Sequence, residues 1–192
     1  MRPSGLALTF DDGPDPVWTP RLLELLTEVK ARATFFPIAR RAERFAGAIE
    51  RMLGDGHAIG LHCDVHRRHS EQDRSWVERD TEIALQRLDR LGVQPALWRT
   101  PWGDRAPFTA SVASAHGLQL VNWTVDTHDW RGDSAEAMYT ATGPALVDGA
   151  IVLAHDGLGP GARRDGAAET MRFVERVAAH AAQAECPLVA LG

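Results

Sequence analysis

The chain has only two cysteines in 192 residues, Cys63 and Cys186, too few for a disulfide framework. It has no excess of basic charge: 21 Lys and Arg stand against 26 Asp and Glu, a net charge of −5. That removes the electrostatic footprint expected for a nucleic-acid partner. It also disfavours a polyanionic substrate unless a local basic patch overrides the balance. No apolar run approaches the length of a membrane span, so no membrane partner is expected. Internal repeats, low-complexity tracts and linkers are missing as well. The start, Met1-Arg2-Pro3-Ser4-Gly5, lacks the pattern of a signal peptide, and as it stands the chain reads as cytoplasmic.

What is present is an ordinary globular composition, 44% hydrophobic and 24% charged, sized for one domain over residues 1–192. Short β-rich runs alternate with longer helical patterns. The strand candidates are residues 6–10, 33–36, 57–61, 96–98, 118–123, 150–154 and 187–191. Several are nearly continuous apolar runs, as strands buried on both faces require. Thr19 is a candidate N-cap with Pro20 at the first helical position, and Leu22, Leu25, Leu26 and Val29 then share one face. Further helical patterns cover residues 40–53, a long stretch from a Ser70 cap to a stop at Gly92, and residues 107–116, 134–147 and 167–184. Seven strands alternating with helices predict a parallel α/β fold. An open doubly wound sheet and a barrel both fit that count. The polar residues favour the barrel, because nearly all of them fall just past strand C-termini, which converge on one rim there.

The first of these groups is Asp11-Asp12 in Thr9-Phe10-Asp11-Asp12-Gly13-Pro14. Neighbouring residues on an extended chain point different ways, so one carboxylate can bind a metal while the other faces a substrate. A solvated turn explains the pair alone equally well. His62 and His66 have a His-x-x-x-His spacing, which on a helical turn lets both grip one ion. Two imidazoles and one carboxylate make an open three-ligand site suited to catalytic zinc or a related divalent metal. Cys63 between them reads as a small buried neighbour. Arg99 places a permanent cation on the same rim, where it would keep an aspartate ionised. Asp126 and Asp129 follow one strand and His155 the next. If those strands are neighbours, a carboxylate can hold one nitrogen of His155 and leave the other to deliver a proton to a leaving amine. Trp98, Trp102, Trp123 and Trp130 lie in or beside these loops. Their faces suit a sugar ring, although core packing explains any one of them.

Taken in order, these groups resemble the polysaccharide deacetylase family, the NodB-homology proteins of carbohydrate esterase family 4. Thr9-Phe10-Asp11-Asp12-Gly13-Pro14 is similar to the family's first motif and His62-Cys63-Asp64-Val65-His66 to its second. Arg99-Thr100-Pro101-Trp102-Gly103 is similar to the third. The stretch Trp123-Thr124-Val125-Asp126-Thr127-His128-Asp129-Trp130 resembles the fourth, and Leu153-Ala154-His155-Asp156 the fifth. The resemblance implies a distorted, incomplete (β/α) TIM-like barrel of about seven strands. It implies a metal-dependent hydrolase that removes an N-linked acyl group from an amino sugar or a larger glycan. One divalent metal, zinc as the best match with cobalt, nickel or manganese as alternatives, would sit on Asp12, His62 and His66. Asp11 would be the base, oriented by Arg99, and His155 the acid, tuned by Asp129. The Trp102 N–H would stabilise the oxyanion, with Trp123 and Leu153 lining the groove and Trp130 beside it.

The chain departs from the family pattern at the cleft border. Cys63 stands where Ser or Thr is usual, Leu61 where Asn is frequent, Trp102 where Tyr is common, and Arg67-Arg68-His69 where a proline commonly follows the second histidine. No metal-binding or catalytic position is lost, so these changes bear on the substrate. Two rival readings exist: a non-catalytic carbohydrate-binding protein on the same barrel, and a glycosidase using Asp11 and Asp126. The first does not need the complete ligand set, and the second gives His62 and His66 no purpose.

Overall fold

The structure, a computed structural model, describes residues 2–192. Its centre is a parallel sheet in the order β3-β2-β1-β7-β6. The strands are β1 (Ala7–Asp11), β2 (Thr34–Phe36), β3 (Ala58–Ile59), β6 (Val125–Asp126) and β7 (Ile151–His155). Two more parallel strands, β4 (Leu97–Trp98) and β5 (Gln119–Leu120), pair with each other. A parallel bridge between Leu61 and Trp98 carries the curl from the β3 end to β4. The sheet therefore wraps from β6 round to β5, and those two edges do not pair with each other. The result is a distorted, incomplete (β/α) barrel. Its strands are short because each contributes only the residues that touch the curved core. Leu8, Phe10, Phe35 and Trp98 fill that core, and Leu23, Leu26, Ile49 and Phe173 join them from the surrounding helices.

The helices are α1 (Trp18–Glu28), α2 (Ala39–Arg44), α3 (Ala46–Gly54), α4 (Arg74–Asp89), α5 (Thr109–Ala115), α6 (Ala135–Thr142) and α7 (Ala168–Gln183). Among the described residues, no helix is long and apolar enough to cross a membrane. Apolar periodicity located these helices, but several ends differ from expectation. The 40–53 pattern is two helices, broken at Phe45, whose φ of −119° and ψ of 48° are not helical. Asp73, not Ser70, caps α4, accepting from Trp76 N–H at 2.7 Å. Thr19 lies inside α1 rather than capping it, because its hydroxyl is committed elsewhere: it donates to Asp156 at 2.5 Å and accepts from Asp15 N–H at 2.8 Å.

Two strand expectations are corrected. The single run 118–123 gives β5, and β6 follows it as a separate strand. Residues 187–191 form only one bridge, between Leu188 and Leu6. The reason is hydrogen-bond saturation: both edges of β1 are already taken, by β2 and β7. The tail crosses the strand N-termini instead, where Leu191 N–H meets the Thr34 hydroxyl at 2.8 Å. The count of seven strands stands, with different membership.

Candidate metal centre and catalytic cleft

Strand ends bring the predicted residues to one cleft of about 370 Å³. Asp11, Asp12, His62, His66, Trp102, Trp123, Asp126, Trp130, Leu153 and His155 all line it. Arg99 and Asp129 stand just behind, each hydrogen-bonded to a lining side chain. Three residues of the site adopt left-handed φ without being glycine: Asp12 (72°), Trp102 (54°) and His128 (55°). Such strain persists only where surroundings enforce it. At Asp12 the enforcement is visible, since Arg41 donates to the Asp12 carbonyl at 2.8 Å and to the Leu158 carbonyl at 2.9 Å.

The metal triad is the best-defined part. Asp12, His62 and His66 each offer a ligand atom, all within 4.8 Å of one another. Nδ1 of His62 lies 2.7 Å from the Arg99 carbonyl, an obligate acceptor, so Nδ1 carries the hydrogen. Nε2 is then a lone pair. It lies 3.4 Å from Asp12 Oδ1, another acceptor, and His66 Nε2 lies 3.2 Å from the same oxygen. Asp12 Oδ1 and His62 Nε2 are buried without a hydrogen-bond partner. Buried acceptors facing each other need a positive charge between them, either a proton or a metal ion. The donor set therefore fits a divalent ion with an open position. Burial pushes the Asp12 carboxyl up, but contacts with His62 and His66 outweigh it and hold the group well below the usual range, and the same acidic contacts raise His62 against its own burial, so the triad attracts positive charge. Burial also pulls His66 down, which favours the neutral imidazole that a metal needs.

His62 and His66 do not share a helical turn, as their spacing suggested. The segment between β3 and α4 is irregular, apart from a short 3-10 turn at His69–Glu71. Asp80, on α4, replaces the missing helix hydrogen bonds by accepting from Asp64 N–H at 3.0 Å and Val65 N–H at 2.8 Å. Arg40 and Arg87 hold the Asp64 carboxylate from outside, at 2.8 and 2.9 Å. Sequence spacing does not reveal Asp80, because it lies 14 residues beyond the second ligand. Cys63 is buried, as expected, and burial pushes its thiol well up.

On one side of the triad, Arg99 donates to Asp11 at 2.9 Å and to the Thr9 hydroxyl at 2.7 Å. Arg99 is completely buried, and its guanidinium lies 4.3 Å from the centre of the Phe36 ring. On the other side, β6 and β7 are neighbours, as the proton-delivery idea needed. Nδ1 of His155 meets Asp129 at 2.7 Å, which leaves Nε2 for the cleft. Burial opposes charge on His155, but Asp129, Asp12 and Asp11 overcome it and raise the imidazole to about 9. Burial likewise opposes charge on Asp129, yet His155 and Arg164 bring its carboxyl down to about 2. Asp126 does not hold His155; it accepts from His128 N–H at 2.8 Å.

Arg164 is a further functional residue that pattern reading passed over. It donates to Asp129 at 2.8 Å and to the His155 carbonyl at 2.8 Å. It sits in the glycine-rich 157–166 segment, whose composition suggests only a loop. Gly159 explains part of that composition: a Cβ there would fall onto the Asp12 carboxylate.

Comparison with known proteins agrees with this geometry. The polysaccharide deacetylase family profile matches residues 1–121. A peptidoglycan-N-acetylglucosamine deacetylase of Bacillus cereus is 32% identical over 171 residues, covering 86% of this chain and 60% of that protein. A chitooligosaccharide deacetylase of Sinorhizobium fredii is 35% identical over 156 residues, covering 80% of this chain and 72% of that one. Among solved structures, the peptidoglycan N-acetylglucosamine deacetylase Bc1960 superposes with a TM-score of 0.89 at 28% identity, over 99% of this chain and 88% of that one. A family 4 carbohydrate esterase from Streptomyces lividans, in complex with acetate, gives 0.85 at 26%, over 100% and 93%. The barrel alone does not decide activity, since a family 4 pseudoenzyme from Bacillus anthracis reaches 0.87 at 17% identity.

Proposed function

This chain belongs to the polysaccharide deacetylase family, and we propose that residues 1–192 form one catalytic domain that hydrolyses the amide of an N-acylated amino sugar or glycan. The curated relatives are named deacetylases, which are hydrolases of carbon–nitrogen bonds other than peptide bonds. The observation that carries the proposal is the pair of buried acceptors, Asp12 Oδ1 and His62 Nε2, facing each other between a buried Asp11–Arg99 pair and a buried His155–Asp129 pair.

Asp12, His62 and His66 would hold one divalent ion. Zinc best suits this carboxylate and two-imidazole set, with cobalt, nickel or manganese as alternatives. The bound ion would supply Lewis-acid polarisation of the acyl carbonyl and of the attacking water. Asp11, kept oriented by Arg99, takes the proton from that water. The Trp102 N–H donates to the developing oxyanion, a contribution worth roughly 3–4 kcal/mol for a well-placed donor. His155 gives its Nε2 proton to the departing amine, and Asp129 with Arg164 fixes the ring for that transfer. Trp123, Leu153 and Trp130 flank the sugar, and Asp126 completes the wall beneath His128. The relatives act on peptidoglycan or on chitooligosaccharides, so an N-acetylated glucosamine polymer or oligomer is the substrate class to examine first. The test is His155→Ala. That protein should bind one zinc per chain by elemental analysis and release no acetate from N-acetylated glucosamine oligomers. Undiminished acetate release would sink the assignment.

A further inference from the structure

The charges at the centre of the cleft are matched, and those at its mouth are not. Asp11 is paired with Arg99 and Asp129 with His155 and Arg164, while Asp12 faces the two histidines with which it would hold an ion. The remaining lining acid, Asp126, faces His128 Nδ1 at 3.4 Å, with its side chain 27% exposed. Guanidinium groups lie against the aromatic side chains of both walls. On one wall Arg68 stacks over Trp102 at 4.5 Å, and Trp102 packs edge-on against the ligand His66 at 4.1 Å. Arg68 is itself part of the cleft lining. Its closest carboxylate is Glu71, at the limit of an ion pair, 4.0 Å, and the nearby Asp104 is already used by Ser70. On the other wall Trp130 has Arg131 at 5.2 Å and Arg163 at 5.8 Å. Both are exposed and lie outside the cleft lining, and neither forms an ion pair among the described residues.

From this placement we propose that the cleft selects acylated sugars carrying an acidic substituent, received by Arg68 on the Trp102 wall, with Arg131 and Arg163 outside the lining beside Trp130 adding to the local positive field. The inference rests on the deacetylase reading of the same site and narrows its substrate. A net charge of −5 makes a basic mouth an exception on this surface rather than part of a general field. Aromatic stacking pre-orients each guanidinium, so less side-chain freedom is lost on contact than for a free lysine. The shared ligand chemistry is a carboxylate or a phosphate, since a planar guanidinium pairs with either.

The test uses zinc-loaded protein and three sugars of one size: N,N′-diacetylchitobiose, a phosphorylated form of it, and the disaccharide of N-acetylglucosamine with N-acetylmuramic acid, which adds one carboxylate. Acetate release gives kcat/KM, and equilibrium binding to the His155→Ala protein gives affinity without turnover. An exposed guanidinium–acid contact is worth up to about fivefold, so Arg68 should favour the acidic sugar by up to about fivefold at low salt. The carboxylate and phosphate arms show which acid is preferred. Arg68→Met, which keeps an apolar stem over Trp102, should bring the acid-to-neutral ratio down several-fold through KM. Combining it with Arg131→Met and Arg163→Met should bring the ratio near one. Equal use of all three sugars by the unaltered protein would overturn the proposal while leaving deacetylation intact. So would a preference that survives all three substitutions. Acid-selective binding without acetate release from any sugar would instead reject the deacetylase reading.

Discussion

Asp129→Asn is the sharpest probe of the proposed acid. Asp129 meets His155 twice, through Nδ1 at 2.7 Å and the backbone N–H at 3.0 Å. Burial alone would push this histidine below its ordinary 6.5, and it is the acidic neighbours, Asp129 foremost, that lift it to about 9. The move from 6.5 to about 9 favours the imidazolium by roughly 3 kcal/mol. A divalent ion on Asp12 cancels the Asp12 share, so the alkaline limb of the loaded enzyme should lie between 6.5 and 9. The sign is plain: a general acid works while protonated, so activity holds below that limb and falls above it. Without the Asp129 charge the limb should move below 6.5. At pH 8, kcat/KM should fall by about tenfold or more and recover in part as the pH drops. The assay is a pH profile of acetate release for both zinc-loaded proteins, with zinc content measured alongside. Recovery at low pH separates a lost acid from a lost fold. An unmoved limb with an unchanged rate would refute this role for Asp129.

Other outcomes follow from single contacts. Asp80→Ala removes both acceptors that shape the loop between the metal histidines, and zinc affinity by competition titration should weaken about tenfold or more. Gly159→Ala drives a methyl group into the Asp12 carboxylate; it should leave the helical circular dichroism unchanged and lower zinc affinity to a similar degree. Asp156 is buried against the Thr19 hydroxyl, and burial raises its carboxyl to about 7. Its folded-state proton is thus held more tightly than in the unfolded chain. The stability this gives is full below 3.8 and lost as pH rises through about 7. Asp156→Asn keeps an acceptor for Thr19, so its thermal midpoint should match the parent at pH 4 and exceed it at pH 8.5.

The alternation of apolar runs and helical patterns was enough to place β1, β2 and β7, because strands buried on both faces leave an unbroken apolar signal. It missed β6, because the chain passes from β5 at one free edge to β6 at the other within a few residues and with no helix between them. Nor could it show that residues 187–191 are shut out of the sheet, since that depends on both edges of β1 being used. Every residue placed in the site by sequence lies in or directly behind the cleft, because strand C-termini gather there whatever the helices do. The supporting residues were hidden for a physical reason. Asp80, Arg41 and Arg164 act through backbone groups and buried partners far away in sequence, and such contacts have no spacing rule. His62 and His66 come together beside Asp12, although the helical turn expected between them is a loop held by α4.

The central claim is that hydrolysis depends on one ion held by Asp12, His62 and His66. The most direct measurement is acetate release from an N-acetylated glucosamine oligomer by chelator-stripped protein, repeated as zinc is added back. The account predicts no release from the stripped protein and full recovery at one zinc per chain. Full turnover by the stripped protein would contradict it.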